Sequence, residues 1–295
     1  LSILLMNKIN EEFDGELSMA LEMFQGKYHR RFFNQLISSQ LDVDRLDYLK
    51  RDSFFTGVSE GSVNTQRIIS MMNVCDDELV IDEKGVYSIE NFLTARMFMY
   101  WQVYYHKTSA LAEHLLVKIL SRAKQLISEG KSIEAYGNLK YFLYKTDFEK
   151  ATEEDIIRFT QLDDTDVLSA IKTWQNADDF VLSYFCRAVV QRKFPKTVFS
   201  SHPFDQQIIE EKTTKANDFF GINNGELLVE QISRTLLPYD TEKQTIYLLK
   251  KNGEKIKLED AETQILSAHI NQPTTKNILY FPREISNGAF DVKKY

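Results

Sequence analysis

A mainly α fold with a small α+β subdomain at its C-terminal end is what this sequence predicts. Three observations carry the prediction. No proline occurs before Pro195 and glycine is sparse over the same stretch, so little interrupts long helices there. Apolar residues recur at helical spacing in one segment after another up to about residue 190. Beyond that point the texture changes to short extended runs, prolines and an Asn252-Gly253 pair of the kind found in hairpins.

Taken in order, helical periodicity covers 11–25, 28–54, 89–129, 131–145, 152–160 and 165–192. Ser88 stands before "IENFLTARMFMYWQ" as a helix start, and Thr152 before "EEDIIRF", with Asp155 placed to close a capping box. The run 77–89, "DELVIDEKGVYSI", reads as an extended pair turned at Glu83-Lys84-Gly85. After residue 190, "KFPKTVFSS" is extended and "DQQIIEEKTTKANDFFG" is a helix stopped by Gly221. "ELLVEQISRTLLPY" reads as a strand. "TIYLLKKNGEKIKLED" reads as a hairpin with a two-residue turn, "AETQILSAHI" as a short helix and "KNILYFP" as a last strand. That order predicts helices on one face of an antiparallel sheet. The chain thus divides into a helical domain, 1–190, and an α+β accessory subdomain, 191–295, ending in a polar, loose tail "REISNGAFDVKKY".

Bulk properties exclude several classes. At 295 residues the chain slightly exceeds what one core usually serves. A net charge of -7 argues against a nucleic-acid binder held by bulk charge, though not against a local basic pocket. The two cysteines, Cys75 and Cys186, form no CxxC, which leaves no basis for a disulfide framework or a thiolate zinc site and fits a reducing, cytoplasmic setting. No apolar run reaches membrane-spanning length, and the opening "LSILLMNKINEEFDGE" lacks the basic stretch of a signal peptide. The sequence begins mid-pattern, without a methionine, and is expected to continue a longer protein.

The stretch "SSQLDVDRLDYLKRDSFFTG", 38–57, concentrates the chemistry. On a helix, Arg51, Asp44, Tyr48, Asp52 and Arg45 fall within roughly a 120° arc, opposite Val43, Leu46 and Leu49. Carboxylates there could ligate a hard cation and guanidinium groups could take phosphate oxygens. Interleaved Asp and Arg at this spacing are also the ordinary decoration of an exposed helix, as Asp47 and Arg51 illustrate, and charge and periodicity alone favour that reading.

The register of residues shifts the balance. "LDVDRLDYLKRD" resembles, without a gap from Asp42 to Asp52, the D-x-D-[KR]-x-D-Y-x-x-R-D segment of the HD-domain dNTP triphosphohydrolases. Those include the bacterial dGTPase-like enzymes and the animal SAM-and-HD-domain dNTPase. Arg96 followed eight residues later by Tyr104, in "ARMFMYWQVYYHKTS", matches a second interval of that family. The likeness covers at least 36–130 and extends more weakly through "FTQLDDTDVLSAIKTW". It implies an HD-type helical bundle, incomplete at its N-terminus. It also implies hydrolysis of a deoxynucleoside triphosphate to deoxynucleoside and inorganic triphosphate. By matched position, Asp44 would be the last metal ligand, Arg45 and Arg96 phosphate contacts, Tyr48 a sugar platform, Asp52 the partner of the sugar 3′-hydroxyl, and Tyr104 the wall beside base and sugar. On a continuous helix Arg96, Tyr100, Lys107 and His114 share a face, but the last three read as structural or regulatory.

The same likeness says what to seek elsewhere. The family is named for a His and a His-Asp pair, upstream of the matched segment, that supply the other metal ligands. Here no His-Asp dipeptide occurs among the five histidines, His29, His106, His114, His202 and His269, and His29 reads as a surface or packing residue. The catalytic residues are therefore expected upstream of Leu1, and these 295 residues alone are expected to be inactive. The implied cofactor is a divalent ion, with Mg, Mn, Fe, Ni and Zn all compatible. The implied partners are a deoxynucleoside triphosphate and further copies of the chain. Rival readings are an HD phosphohydrolase acting on another nucleotide phosphoester, and a catalytically dead nucleotide-binding or assembly module.

Overall fold

A computed structural model describes residues 1–147, 149–242, 244–261 and 272–286. In chain order come α1 (Ser2–Glu12), α2 (Ser18–Phe24), α3 (Arg31–Ile37), α4 (Val43–Thr56) and α5 (Thr65–Met71). The strands β1 (Met72–Cys75) and β2 (Glu78–Asp82) follow, then α6 (Val86–Met99), which runs into a π-helical segment, Tyr100–Tyr104. Next are α7 (Lys107–Ser128), α8 (Gly137–Tyr144), α9 (Glu153–Thr160), α10 (Asp164–Trp174) and α11 (Phe180–Val190). The remainder is β3 (Lys196–Ser200), α12 (Gln206–Phe220), β4 (Glu230–Leu236), β5 (Tyr247–Leu249), β6 (Lys255–Lys257) and β7 (Thr274–Phe281). The fold is mainly α with a small α+β part, as the sequence predicts.

Several long helices expected from periodicity are broken where a polar side chain captures backbone N–H groups. Instead of one helix over 28–54, α3 ends at Ile37 and Asp42 starts α4 afresh, accepting from the Arg45 N–H at 2.8 Å. Asp179 likewise separates α11 from α10, accepting from the Leu182 N–H at 2.9 Å. The helix expected over 89–129 starts earlier, at Val86, and is interrupted by the π segment, where the Tyr105 N–H reaches back to the Tyr100 carbonyl at 2.6 Å. The Thr152–Asp155 capping box forms as the sequence indicates. The first hairpin turns not at 83–85 but at Asp76-Asp77, both with positive φ (51° and 61°), a conformation that short polar side chains tolerate. The second is closed by a three-residue loop rather than a two-residue one. The Lys250 N–H meets the Glu254 carbonyl, and Gly253 takes the left-handed position at φ 85°.

The strands after residue 190 do not share one sheet. β5 and β6 extend the first hairpin into a sheet of order β1-β2-β5-β6, with β2 and β5 parallel and Ile81 opposite Leu248. A separate sheet has the order β3-β7-β4, with Val198 opposite Leu279 in the antiparallel β3–β7 pair. The physical reason is burial: Ile246, Leu248 and Leu258 fill a core built mostly by α4 to α6. The short helix expected at 261–270 lies, but for Ala261, outside the described residues, as does most of the tail.

By contacts the chain forms two compact units. One comprises Leu1–His106 with Thr235–Thr274; the other comprises Lys107–Arg234 with Thr275–Tyr295. The first buries Leu46 and Leu49 of α4 with Ile89, Phe92, Leu93 and Met99 of α6. In the second, Leu111, Leu115 and Ile119 of α7 pack with Trp174 of α10 and Phe185 of α11, and Val198, Ala216, Leu279 and Phe281 form a further cluster. Among the described residues no helix is long and apolar enough to cross a membrane.

Candidate functional site

The site is assembled on two helices of the first unit. α4 is started by the Asp42 cap and stopped by Gly57, whose φ of 71° is the left-handed conformation that ends a helix. Its buried face is Leu46, Leu49 and Ser53, which leaves Tyr48 and Asp52 half-buried on a neighbouring face. α6 contributes Arg96, only 8% exposed. The π segment then carries Tyr100 and Tyr104 toward α4. There the Tyr104 hydroxyl donates to Asp52 Oδ2 at 2.5 Å. The Tyr48 and Tyr104 rings meet edge-on at 6.0 Å, and Tyr100 and Tyr104 at 5.1 Å.

Electrostatics ties the arginines to this group. Burial raises the Tyr48 phenol above its ordinary range, and the neighbouring Tyr100 hydroxyl adds to the rise, while the Arg96 and Arg45 charges pull the other way. Burial also raises Tyr104, reinforced by its hydrogen bond to Asp52. Both phenols therefore stay protonated around neutral pH and act as neutral donors. The Arg96 guanidinium lies 5.8 Å from the Tyr100 ring centroid, and its Nη1 donates to Gln40 Oε1 at 3.0 Å. Arg45 turns back on its own helix start, pairing with Asp42 and donating to the Ser39 carbonyl. Yet the Nε–H of each arginine is buried with no acceptor among the described residues.

Other predicted residues fall differently. Arg51 pairs with Asp47 on the exposed side of α4, the surface-helix reading of that pair. Asp44 lies exposed in the first turn of α4, and no hydrogen bond or ion pair among the described residues joins it to the cluster. Nor does any group of three His, Cys, Asp or Glu among those residues come together in a way that could hold a metal. One exposed carboxylate does not make a metal centre, since a bound ion needs several protein ligands. His29 is exposed against the Tyr28 ring at 4.3 Å. Lys107 and His114 belong to the second unit, where His114 Nε2 lies 3.1 Å from Glu230 Oε2; the helical face that groups them with Arg96 assumes an unbroken helix. The residue that sequence reasoning missed is Gln40. Its only local signal is a polar side chain two positions before a helix cap, and its burial is created by chain distant in sequence.

Residues 63–141 match the family model described as the HD associated region. A phosphohydrolase from Bacteroides thetaiotaomicron, known from its crystal structure, is 40% identical, with 96% of this chain and 71% of that one covered at a TM-score of 0.88. The chain belongs to the HD-domain phosphohydrolase family. A hypothetical protein from Aquifex aeolicus shares the fold at a TM-score of 0.67 and 25% identity, over 94% of this chain and 66% of that one. The uncharacterized Bacillus subtilis protein YwfO is 33% identical over 271 residues, and this HD-family chain spans 60% of its length. A Dictyostelium discoideum protein named deoxynucleoside triphosphate triphosphohydrolase SAMHD1 homolog is 26% identical over 131 residues, 42% of this chain and 25% of that protein.

Proposed function

We propose that α4, α6 and the π segment form one wall of a site that binds a deoxynucleoside triphosphate and releases deoxynucleoside and inorganic triphosphate. One observation carries this reading. Two guanidinium groups beside a tyrosine cluster each bury an Nε–H with no acceptor among the described residues. A buried donor left unsatisfied costs about 1–3 kcal/mol, and phosphate oxygens are the acceptors that match guanidinium geometry best. Asp52, already accepting from Tyr104, has a second oxygen for a sugar hydroxyl, and Tyr48 offers a ring face to the sugar. The likeness to a protein named for triphosphohydrolysis of deoxynucleotides agrees in substrate class.

In this reading Asp44 is one ligand of a divalent ion, and the remaining ligands come from outside the described residues. The ion would polarise the phosphoryl oxygen and acidify a water. The residues of this chain bind and orient: Arg96 and Arg45 meet phosphate, Tyr48 and Tyr104 shape the sugar side, and Asp52 fixes the hydroxyl. Assembly with further copies of the chain is part of the proposal. The test is a product assay on the full-length protein with added Mn²⁺ over deoxynucleoside triphosphates, ribonucleoside triphosphates and monophosphates. Triphosphate release from deoxynucleotides, lost in Asp44→Ala and reduced about a hundredfold in Asp52→Asn, is expected. Preferred turnover of monophosphates, or a wild-type rate in Asp44→Ala, would remove the assignment.

A further inference from the structure

We infer that Gln40 is a positioning residue for the anion site, holding Arg96 in place without neutralising it. The inference rests on the reading that Arg96 takes phosphate.

Gln40 is 8% exposed and both ends of its amide are engaged. Its Oε1 accepts from Arg96 Nη1 at 3.0 Å, and its Nε2 donates to the Asp240 carbonyl at 3.2 Å. The orientation of the amide is fixed from both sides, because a guanidinium only donates and a carbonyl only accepts. Among the described residues no carboxylate lies within ion-pair distance of Arg96. A buried arginine held by a neutral acceptor keeps its full charge for a ligand, whereas a glutamate at the same place would cancel it. The second bond anchors the amide to the chain around Asp240. That chain is itself fixed, since the Tyr239 hydroxyl accepts from the Ile246 N–H at 2.8 Å. Gln40 thereby links a rigid backbone to the one edge of Arg96 that it occupies, and the Nε edge stays available.

The test is calorimetric titration of the full-length protein with inorganic tripolyphosphate. Gln40→Met keeps the length of the side chain and removes both hydrogen bonds. Gln40→Glu keeps the shape but sets a carboxylate against Arg96 and against the Asp240 carbonyl. About tenfold weaker binding is expected for Gln40→Met, the scale of one charge-assisted hydrogen bond, and at least as much for Gln40→Glu. In an Arg96→Met background Gln40→Met should change affinity no further, because the two residues act as one unit. A purely structural role would lower Tm in both backgrounds and leave affinity within twofold of wild type, which would overturn the inference. So would an equal loss in the Arg96→Met background. Should Gln40→Met fail to fold, Gln40→Glu decides alone, and wild-type affinity in it would refute. Arg96→Met binding tripolyphosphate as the wild type does, or no binding by the wild type itself, would remove the phosphate reading and this inference with it.

Discussion

Gly61→Ala should destabilise the unit that carries the site. Gly61 sits in a short 3₁₀ turn between α4 and α5, buried against α6. A Cβ added there would lie 2.3 Å from Met99 Sδ, 2.6 Å from Met99 Cγ and 3.0 Å from Ser53 Cβ. Ordinary contact needs about 3.5–4.0 Å, so the methionine must retreat by more than an ångström. Thioethers adapt well, but Met99 is 0% exposed and any retreat pushes on Phe92, Leu93 and their neighbours. Overpacking of this kind costs about 1–3 kcal/mol. Met99→Ala alone should cost about 2–5 kcal/mol by opening a cavity. In the double variant the new methyl enters that cavity, so the combined loss should fall short of the sum by at least about 1 kcal/mol. Urea unfolding followed by circular dichroism measures all three. A Gly61→Ala protein within about 0.5 kcal/mol of wild type, or strict additivity in the double variant, would refute the packing argument.

Three further outcomes are expected. Asp179→Ala should cost about 3–5 kcal/mol in urea unfolding, because it strips the α11 cap and leaves Arg122, 11% exposed, without its carboxylate; a loss under about 1 kcal/mol would contradict this. The His114 and Lys118 contacts hold the Glu230 carboxyl down, to about 2 from an ordinary 4.5, so its stabilisation is complete above the ordinary value and fades as the pH falls toward about 2. Glu230→Gln should therefore lose less stability than wild type between about pH 5 and pH 2, and parallel acid profiles for the two proteins would rule that out. Burial pushes the Cys186 thiol up to about 12 at 0% exposure, so a thiol reagent should modify Cys75 first and reach Cys186 only in denaturant; rapid modification of both in the native protein would contradict the burial.

Local chemistry in the sequence marked some boundaries well and left others unmarked. Thr152 with Asp155 and the stop at Gly221 were legible because a cap is decided within a few residues. The break after Ile37 and the π segment were not, because periodicity continues through them and only the competing hydrogen bonds reveal the interruption. The pairing of β5 with β2 joins residues more than 160 positions apart, Val80 with Tyr247, and nothing in either run names the other. The site divides in the same way. Tyr48, Asp52, Arg96 and Tyr104 were placed by spacing and family register, and the first unit gathers them. Gln40 was invisible because the Asp240 carbonyl that makes it a partner for Arg96 lies 200 residues away.

Arg45 of the motif and Arg96 of the second interval are not equivalent, and the difference bears on how an acidic chain would hold the proposed anion. A net charge of -7 over these 295 residues offers an anion no bulk attraction, so any affinity contributed by this chain is local. Arg45 spends its charge on Asp42, whose side chain is 3% exposed, and its geometry serves the start of α4. Arg96 is held by an uncharged amide near the Tyr48 phenol, whose ionisation burial disfavours, and at 8% exposure its charge is only weakly screened. The same burial makes that charge expensive to leave alone, which supports the proposed occupancy by an anion. In the proposed anion site, an amide at position 40 and phenols at 48, 100 and 104, where carboxylates would quench Arg96, leave that one buried guanidinium its charge.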